Sequence, residues 1–354
     1  MSRVLMKGNE AIAEASIRAG CRFFFGYPIT PQSEVPEYLA KRYPEVGGTF
    51  VQAESEVAAS NMIYGAACTG TRVFTSSSSP GISLMSEGVS YIAASEVPVV
   101  LVNIVRAGPG LGGILPSQGD YWQATRGMGH GDFRILVLAP ASVQEAADLV
   151  MLAFDLADKY TNPVMVIGDG IIGQMMEPVE FKEMIDPSTL PKKAWALTGC
   201  KDRSPNIITS LFLDPVKLEE LNQRMKAKYD LMEAREKRHE YYNVTDNMKV
   251  LAFAWGTMSR ICKTAIDDLK KQGIEVGLVR PITLYPFPYE AAAEAAEKAE
   301  KLISVELSTG QMVDDIKLGT RRDVAFFGRQ GGIVPTPDDV KNEFLKLIER
   351  KGGG

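Results

Sequence analysis

Two short stretches of the chain carry side chains that could do chemistry together. In Gly26-Tyr27-Pro28-Ile29-Thr30-Pro31, a glycine and two prolines break the apolar run Phe23-Phe24-Phe25 and leave the Thr30 hydroxyl on a loop. In Ala53-Glu54-Ser55-Glu56-Val57-Ala58-Ala59, the apolar pair Phe50-Val51 gives way to a carboxylate at the start of a small-residue helix. If both apolar runs are strands of one parallel sheet, hydroxyl and carboxylate converge at its C-terminal edge, where open α/β sheets bind ligands. Glu56 stands among small residues, so neighbours can pack closely on it. A carboxyl held there can share a proton with a ring nitrogen. Its plain structural use is as a first-turn partner of the helix dipole. Glu54, two residues earlier, is the rival carboxylate and faces elsewhere on a helix.

A cation and a run of hydroxyls stand at two more strand ends. Arg106 follows the apolar run 97–105 and opens Ala107-Gly108-Pro109-Gly110-Leu111-Gly112-Gly113. Pro109 and the lack of an immediate helix argue against a dinucleotide fingerprint, and no Gly-Lys-Ser/Thr makes it a P-loop. A guanidinium fixed at a strand end suits bidentate recognition of a carboxylate; the alternative is a salt bridge to a neighbouring loop. Thr75-Ser76-Ser77-Ser78-Ser79-Pro80-Gly81 ends a strand and opens a helix. Its hydroxyls and free amides can hold a polar ligand, or a serine can simply cap the helix.

Other chemistries find little support. Gly168-Asp169-Gly170 looks like the diphosphate signature of thiamine enzymes, but Gly173-Gln174-Met175-Met176 follows where a magnesium-binding Asn is expected, so it is taken as a turn. His130 and His239 are the only histidines, and neither completes a triad or a metal cluster. Cys21, Cys68, Cys200 and Cys262 are scattered, with no CxxC, which predicts free thiols in a reducing cytoplasm. The formal charge of −5 gives no reason to expect nucleic acid or an anionic membrane as partner. The N-terminus lacks an apolar signal core, and no apolar stretch approaches bilayer length.

The elements that must position these residues alternate. Short apolar strands are expected at 22–25, 49–53, 72–75, 98–105, 134–138 and 163–168, with helices at 9–19, 32–42, 55–68, 81–94 and 142–159. The pattern predicts a doubly wound α/β domain with a parallel sheet over 1–175. The segment 176–247 is expected to be a proline-punctuated linker followed by a charged helix over 214–242 with the stripe Leu218, Leu221, Met225 and Leu231. That helix is either a solvated bridge or a docking surface. A smaller α/β domain is expected over 248–350, with strands at 249–254, 275–279, 302–306 and 323–327, helices at 257–272, 289–300 and 337–350, and a disordered Lys351-Gly352-Gly353-Gly354 tail.

The motifs at 26–31, 54–59, 75–81 and Arg106 with Ser117-Gln118-Gly119-Asp120 together closely resemble the α subunit of 2-oxoacid:ferredoxin oxidoreductases, most of all the 3-methyl-2-oxobutanoate (ketoisovalerate) type, with the 2-oxoglutarate type as near neighbour. The resemblance covers essentially the whole chain. It implies a pyrimidine-binding thiamine-diphosphate domain followed by a transketolase C-terminal-like domain. It implies that Glu56 meets the aminopyrimidine N1′, that Tyr27, Pro28 and Ser79 contact the cofactor, and that Thr30 and Arg106 engage the 2-oxoacid carboxylate. It also implies that Mg2+ and the [4Fe-4S] clusters sit on partners: a β subunit, γ-type and ferredoxin-like subunits, and external ferredoxin. The implied reaction is CoA-dependent oxidative decarboxylation of a 2-oxoacid. A non-catalytic α/β scaffold is the alternative of another class. Arg126 and Arg134 are the conceivable second cations that 2-oxoglutarate would need.

Overall fold

The computed structural model describes residues 3–350; the expected disorder of the 351–354 tail lies outside them. The chain opens with β1 (Val4–Lys7), α1 (Gly8–Arg18), β2 (Phe23–Gly26), α2 (Glu34–Val46), β3 (Thr49–Gln52), α3 (Glu56–Cys68), β4 (Val73–Ser77), α4 (Ser79–Ala94) and β5 (Val99–Val105). After a π-helical turn at Gln123–Gly127 come β6 (Leu136–Leu138), α5 (Val143–Tyr160), β7 (Pro163–Asp169), α6 (Gly170–Gln174) and β8 (Met176–Val179). The rest comprises α7 (Pro215–Arg235), β9 (His239–Tyr242), β10 (Met248–Phe253), α8 (Gly256–Lys270), β11 (Val276–Pro281), β12 (Thr283–Tyr285), α9 (Tyr289–Ala296), β13 (Ala299–Glu306), α10 (Val313–Thr320), β14 (Val324–Gly328) and α11 (Pro337–Glu349).

The first sheet has seven strands in the order β12-β6-β7-β5-β4-β2-β3. Every residue of β5 and β7 is buried, which is why these strands are almost wholly apolar rather than alternating, with Asn103 and Asp169 as the polar exceptions. Helices α1, α2 and α5 pack together, and α3 packs on α4. The chain steps outward from β2 to β3 and then returns past β2 to β4, so the order reverses between β2 and β4. A crevice opens at the strand C-termini at such a switch point. The loops carrying Tyr27–Thr30 and Ser78–Ser79 leave from its two sides.

The second sheet runs β14-β13-β10-β11-β9, with only β9 antiparallel. It is joined to the first by fully buried polar groups. Gln118 donates to the Trp255 carbonyl at 2.8 Å and accepts from the Leu307 amide at 3.0 Å. Asp169 accepts from the Thr257 hydroxyl at 2.6 Å and amide at 3.1 Å.

The structure corrects the expected elements in several places. The segment 176–213 is not all linker, because β8 pairs antiparallel with β1, Val4 opposite Val179. The charged helix stops at Arg235, and the rest of its expected range holds β9, the edge strand of the second sheet. On α7, Leu221, Met225, Tyr229 and Met232 are buried, while Leu218 and Leu231 of the expected stripe are exposed. Within 248–350, β12 leaves the second sheet and pairs with β6 of the first. Helix α10 is an addition, and the helix expected over 289–300 ends at Ala296, where β13 soon begins. Asp169 caps the short α6 instead of lying in a simple turn.

Candidate functional site

The register fixes which side chains meet. Gly26 at the end of β2 lies opposite Gln52 at the end of β3, and Ser77 at the end of β4 lies opposite Asn103 of β5. Four neighbouring strand ends therefore deliver Thr30, Glu56, the serine run and Arg106 to one edge of the sheet.

Helix α3 begins at Glu56 because Ser55, in extended conformation, caps it by accepting from the Ala58 amide at 3.2 Å. Glu56 is buried at 5% exposure. Its carboxylate points at α4: a Cβ on Gly81 would fall 2.6 Å from Glu56 Oε1 and 2.1 Å from Ser77 Oγ. No described side chain or amide hydrogen-bonds that carboxylate. Glu54, by contrast, is exposed, just outside α3.

The serine run divides by function. Ser76 donates to Gln32 at 2.6 Å. Ser79, expected at the cofactor, has its hydroxyl engaged with the Arg106 backbone, accepting from the amide at 3.1 Å and donating to the carbonyl at 3.3 Å. Ser78 occupies the N-cap position of α4, yet its hydroxyl makes no cap bond. Ser77 and Ser78 are fully buried, and neither hydroxyl has a partner. Four serines in a row made the run visible in the sequence, but nothing in it distinguished these two from Ser76 and Ser79.

Arg106 is buried at 8% exposure and has no acidic partner among the described residues. Its Nη1 donates to the Thr30 carbonyl and its Nη2 to the Leu111 carbonyl, both at 3.1 Å, and its Nε has no partner. The structure thus brings Thr30 and Arg106 together. Thr30, Tyr27 and Pro28 are exposed on the same loop. The loop is held from behind, where Asn9 at 2.7 Å and Gln174 at 2.9 Å both donate to the Pro31 carbonyl. Both amides also reach Glu34, which Lys7 meets at 3.0 Å. Below Arg106, Asn103 accepts from the Ser79 amide and donates to Asp120 at 2.9 Å; burial pushes the Asp120 carboxyl up, against that bond and Ser79.

Arg126 and Arg134 do not join this group. They line a cavity of about 530 Å³ with Glu233, Tyr285, Tyr289 and Asp315, and Arg126 is paired with Asp315 at 2.8 Å. Asp169 is a structural joint. Burial raises its carboxyl, while the Thr257 hydroxyl and amide, with the Ile172 and Ile171 amides, oppose that rise.

The unpartnered groups fit the implied cofactor. A carboxylate beside the free Ser77 hydroxyl suits a polar heteroaromatic ring with donor and acceptor edges. A buried guanidinium without a counter-ion suits a carboxylate. The same loops and helix starts also expose large apolar side chains: Tyr27, Val57, Leu84, Leu111, Ile114 and Leu115. Sequence matching assigns residues 14–251 to the family described as pyruvate flavodoxin/ferredoxin oxidoreductase, thiamine diphosphate-binding, and 249–340 to the pyruvate:ferredoxin oxidoreductase core domain II. The chain is 49% identical over 348 residues, 98% of each chain, to the ketoisovalerate oxidoreductase subunit VorB of Methanothermobacter marburgensis. It is 34% identical to the 2-oxoglutarate synthase subunit KorA of Methanothermobacter thermautotrophicus, over 97% of this chain and 98% of that one. Its backbone matches a solved 2-oxoglutarate:ferredoxin oxidoreductase from Magnetococcus marinus with TM-score 0.88 at 28% identity, covering 98% of this chain and 66% of that one. A split-gene transketolase, at TM-score 0.57 and 15% identity over 97% and 98% of the two chains, shares the fold. Sequence and backbone agree over nearly the full length: the chain belongs to the family of 2-oxoacid:ferredoxin oxidoreductase subunits.

Proposed function

We propose that this chain is the α subunit of a ketoisovalerate-type 2-oxoacid:ferredoxin oxidoreductase, carrying the pyrimidine half of a thiamine diphosphate site. The observation that carries the reading is a cluster at one sheet edge: the buried and unpartnered Ser77 and Ser78 hydroxyls and Arg106 Nε, with the Glu56 side chain, 5% exposed and without a hydrogen bond among the described residues, on the same edge. Buried polar groups are normally hydrogen-bonded, so a cluster of exceptions at a switch point marks a ligand site.

Thiamine diphosphate, when bound, supplies the carbon nucleophile for the 2-oxo group and the electron sink that survives loss of carbon dioxide. The chain's own residues prepare this. Glu56 holds and exchanges a proton at N1′ of the aminopyrimidine. Ser77 lies beside it, Ser78 follows at the start of α4, and Tyr27 and Pro28 line the entry. Arg106 binds the substrate carboxylate through its free Nε, and Thr30 adds a hydroxyl. Ser79 fixes the Arg106 backbone, which keeps the cation at the strand end. Orientation of the carboxylate fixes where carbon dioxide leaves. CoA then takes the acyl group, and ferredoxin takes the electrons singly.

A branched aliphatic 2-oxoacid is the favoured substrate. The side chains that leave with Arg106 on its loop are Leu111, Ile114 and Leu115, while Arg126 and Arg134 lie in another cavity. The ketoisovalerate relatives are also more similar in sequence than the 2-oxoglutarate ones. The exposed apolar rim of the site is the docking face for a β subunit that carries the diphosphate, Mg2+ and iron–sulfur chemistry, with γ-type and ferredoxin-like subunits completing the complex. Among the described residues no helix is long and apolar enough to cross a membrane, and we place the complex in the cytoplasm.

The test is to assay the purified complex against a panel of 2-oxoacids with ferredoxin or a viologen dye as acceptor. Branched-chain acids should give the highest kcat/KM; a preference for 2-oxoglutarate would overturn the substrate assignment. The chain alone should bind no iron and turn over no 2-oxoacid, and turnover without partners would overturn the subunit assignment.

A further inference from the structure

Two glycines of α4 face α3, and they differ in what fills the place of their missing side chains. At Gly88 the neighbour is Ser60 of α3: a Cβ would lie 2.4 Å from Ser60 Oγ and 2.7 Å from Ser60 Cβ. The Ser60 hydroxyl is already paired, donating to the Val57 carbonyl at 2.7 Å. That contact is ordinary close helix packing. At Gly81, two turns earlier, the space holds chemistry: Ser77 Oγ at 2.1 Å, Glu56 Oε1 at 2.6 Å and Glu56 Cγ at 3.0 Å from the same point. Among the described residues neither the Ser77 hydroxyl nor the Glu56 carboxylate has a hydrogen-bond partner. A Cβ at Gly81 and these atoms cannot coexist, since separations below about 3 Å lie inside van der Waals contact.

We propose that Gly81 and Ser77 are positioning residues for Glu56: the missing Cβ of Gly81 is the notch into which the carboxylate projects, and the unpartnered Ser77 hydroxyl borders that notch, free to donate once the ligand is in place. The inference rests on the reading of Glu56 given above and extends it to two residues of another helix and strand. It also explains why a first-turn glutamate points inward. Ser55 sets where α3 starts, and the notch gives the Glu56 side chain a buried place to lie. A carboxylate confined by the Gly81 notch loses little freedom when the cofactor arrives, which is how a supporting shell sharpens a site.

The experiment compares Gly81→Ala, Gly88→Ala and Ser77→Ala in the full complex, reading melting temperature, thiamine diphosphate affinity by calorimetry on cofactor-depleted complex, and kcat with KM for the 2-oxoacid. Both glycine variants should melt at lower temperature. Gly88→Ala should keep cofactor affinity and kcat within about twofold, whereas Gly81→Ala should lose roughly tenfold or more in each, with KM little changed because Arg106 is untouched. Ser77→Ala removes a hydroxyl with no partner in the chain, so the melting temperature should hold while cofactor affinity falls about three- to tenfold. If Gly81→Ala fails to assemble, Ser77→Ala decides. Wild-type affinity and kcat in either variant, or an equal loss in Gly88→Ala, would overturn the proposal. Glu56→Gln separates the two levels: full activity there sinks the reading of Glu56 itself, while an inactive Glu56→Gln beside normal Gly81→Ala and Ser77→Ala sinks only the positioning role.

Discussion

The two ends of the first sheet each bury an arginine, to nearly the same depth and with opposite results. Arg72, just before β4, is 7% exposed and bonded through each of its three nitrogens: Nε donates to Asp158 at 2.9 Å, Nη2 to Asp155 at 2.7 Å and Nη1 to the Ala19 carbonyl at 2.7 Å. Arg106, just after β5, is 8% exposed, bonded to carbonyls alone and left with a free Nε. At the N-terminal edge the C-cap carbonyl of α1 accepts from the cation, and helix C-termini favour positive charge. At the other edge the N-termini of α3 and α4 converge, which favour anions and leave a lone cation in need of one. Arg72 is therefore complete without a ligand, and Arg106 is not. Equal burial with unequal satisfaction is the difference on which the proposed role of Arg106 rests, and burial alone would not show it.

That contrast can be broken by substitution. Glu56→Gln should have the largest effect, lowering kcat on the order of 10²-fold or more with an unchanged melting temperature, since general acid–base groups contribute about 10²–10⁴-fold. If Glu54→Gln is the inactive variant and Glu56→Gln is normal, the carboxylate has been misassigned. Arg106→Ala should cost about 2–4 kcal/mol in kcat/KM for every 2-oxoacid, leaving cofactor affinity and melting largely intact. Arg72→Met should do the reverse. Breaking its buried pairs should cost about 3 kcal/mol of unfolding free energy, near the lower end of the usual range because Asp155 reaches water, while assembled complex keeps its kcat/KM. Denaturant titration beside steady-state kinetics checks both arginines, and similar profiles for the two would erase the distinction.

The smallest effect concerns the clamp behind Thr30. Burial alone would raise the Glu34 carboxyl, but Asn9, its own helix amide, Lys7 and Gln174 together hold it below the ordinary value of 4.5. A depressed carboxyl contributes stability that is complete above its unfolded value and lost as pH falls through the folded one. Stability should therefore decline below about pH 4.5 by less than about 1 kcal/mol on this account, since water reaches the pair. Glu34→Gln should flatten that part of the curve, and an identical acid profile in the variant would remove Glu34 from the clamp.

The pieces of the site were largely legible in the chain order. Strand ends at Gly26, Gln52, Ser77 and Val105 follow from local apolar runs broken by Gly, Pro and small polar residues, so Thr30, Glu56 and Arg106 could be placed at one edge beforehand. The antiparallel pairings were not. Strand β1 meets β8, β9 meets β11 and β12 meets β6, and two of the three join segments more than 140 residues apart. Such strands are three or four residues long and half-exposed or irregular, so their own composition carries little signal and the partner strand decides.

What the sequence determined by itself was the set of reactive types and the βα alternation that carries them to one side, because local propensity and a right-handed crossover leave few other arrangements. What only the tertiary structure decided was who is satisfied. Ser76, Ser77, Ser78 and Ser79 are chemically identical neighbours, yet Ser76 is tied to Gln32, Ser79 to Arg106, and the two between have no partner. Arg126, a candidate substrate cation by type, is neutralised by Asp315, almost 190 residues further along the chain. Gly81 carries no functional group at all, and only the fold brings Glu56 and Ser77 to the point where its Cβ would lie. Hydrogen-bond satisfaction and close approach depend on residues distant in sequence, so they emerge only when the chain has folded.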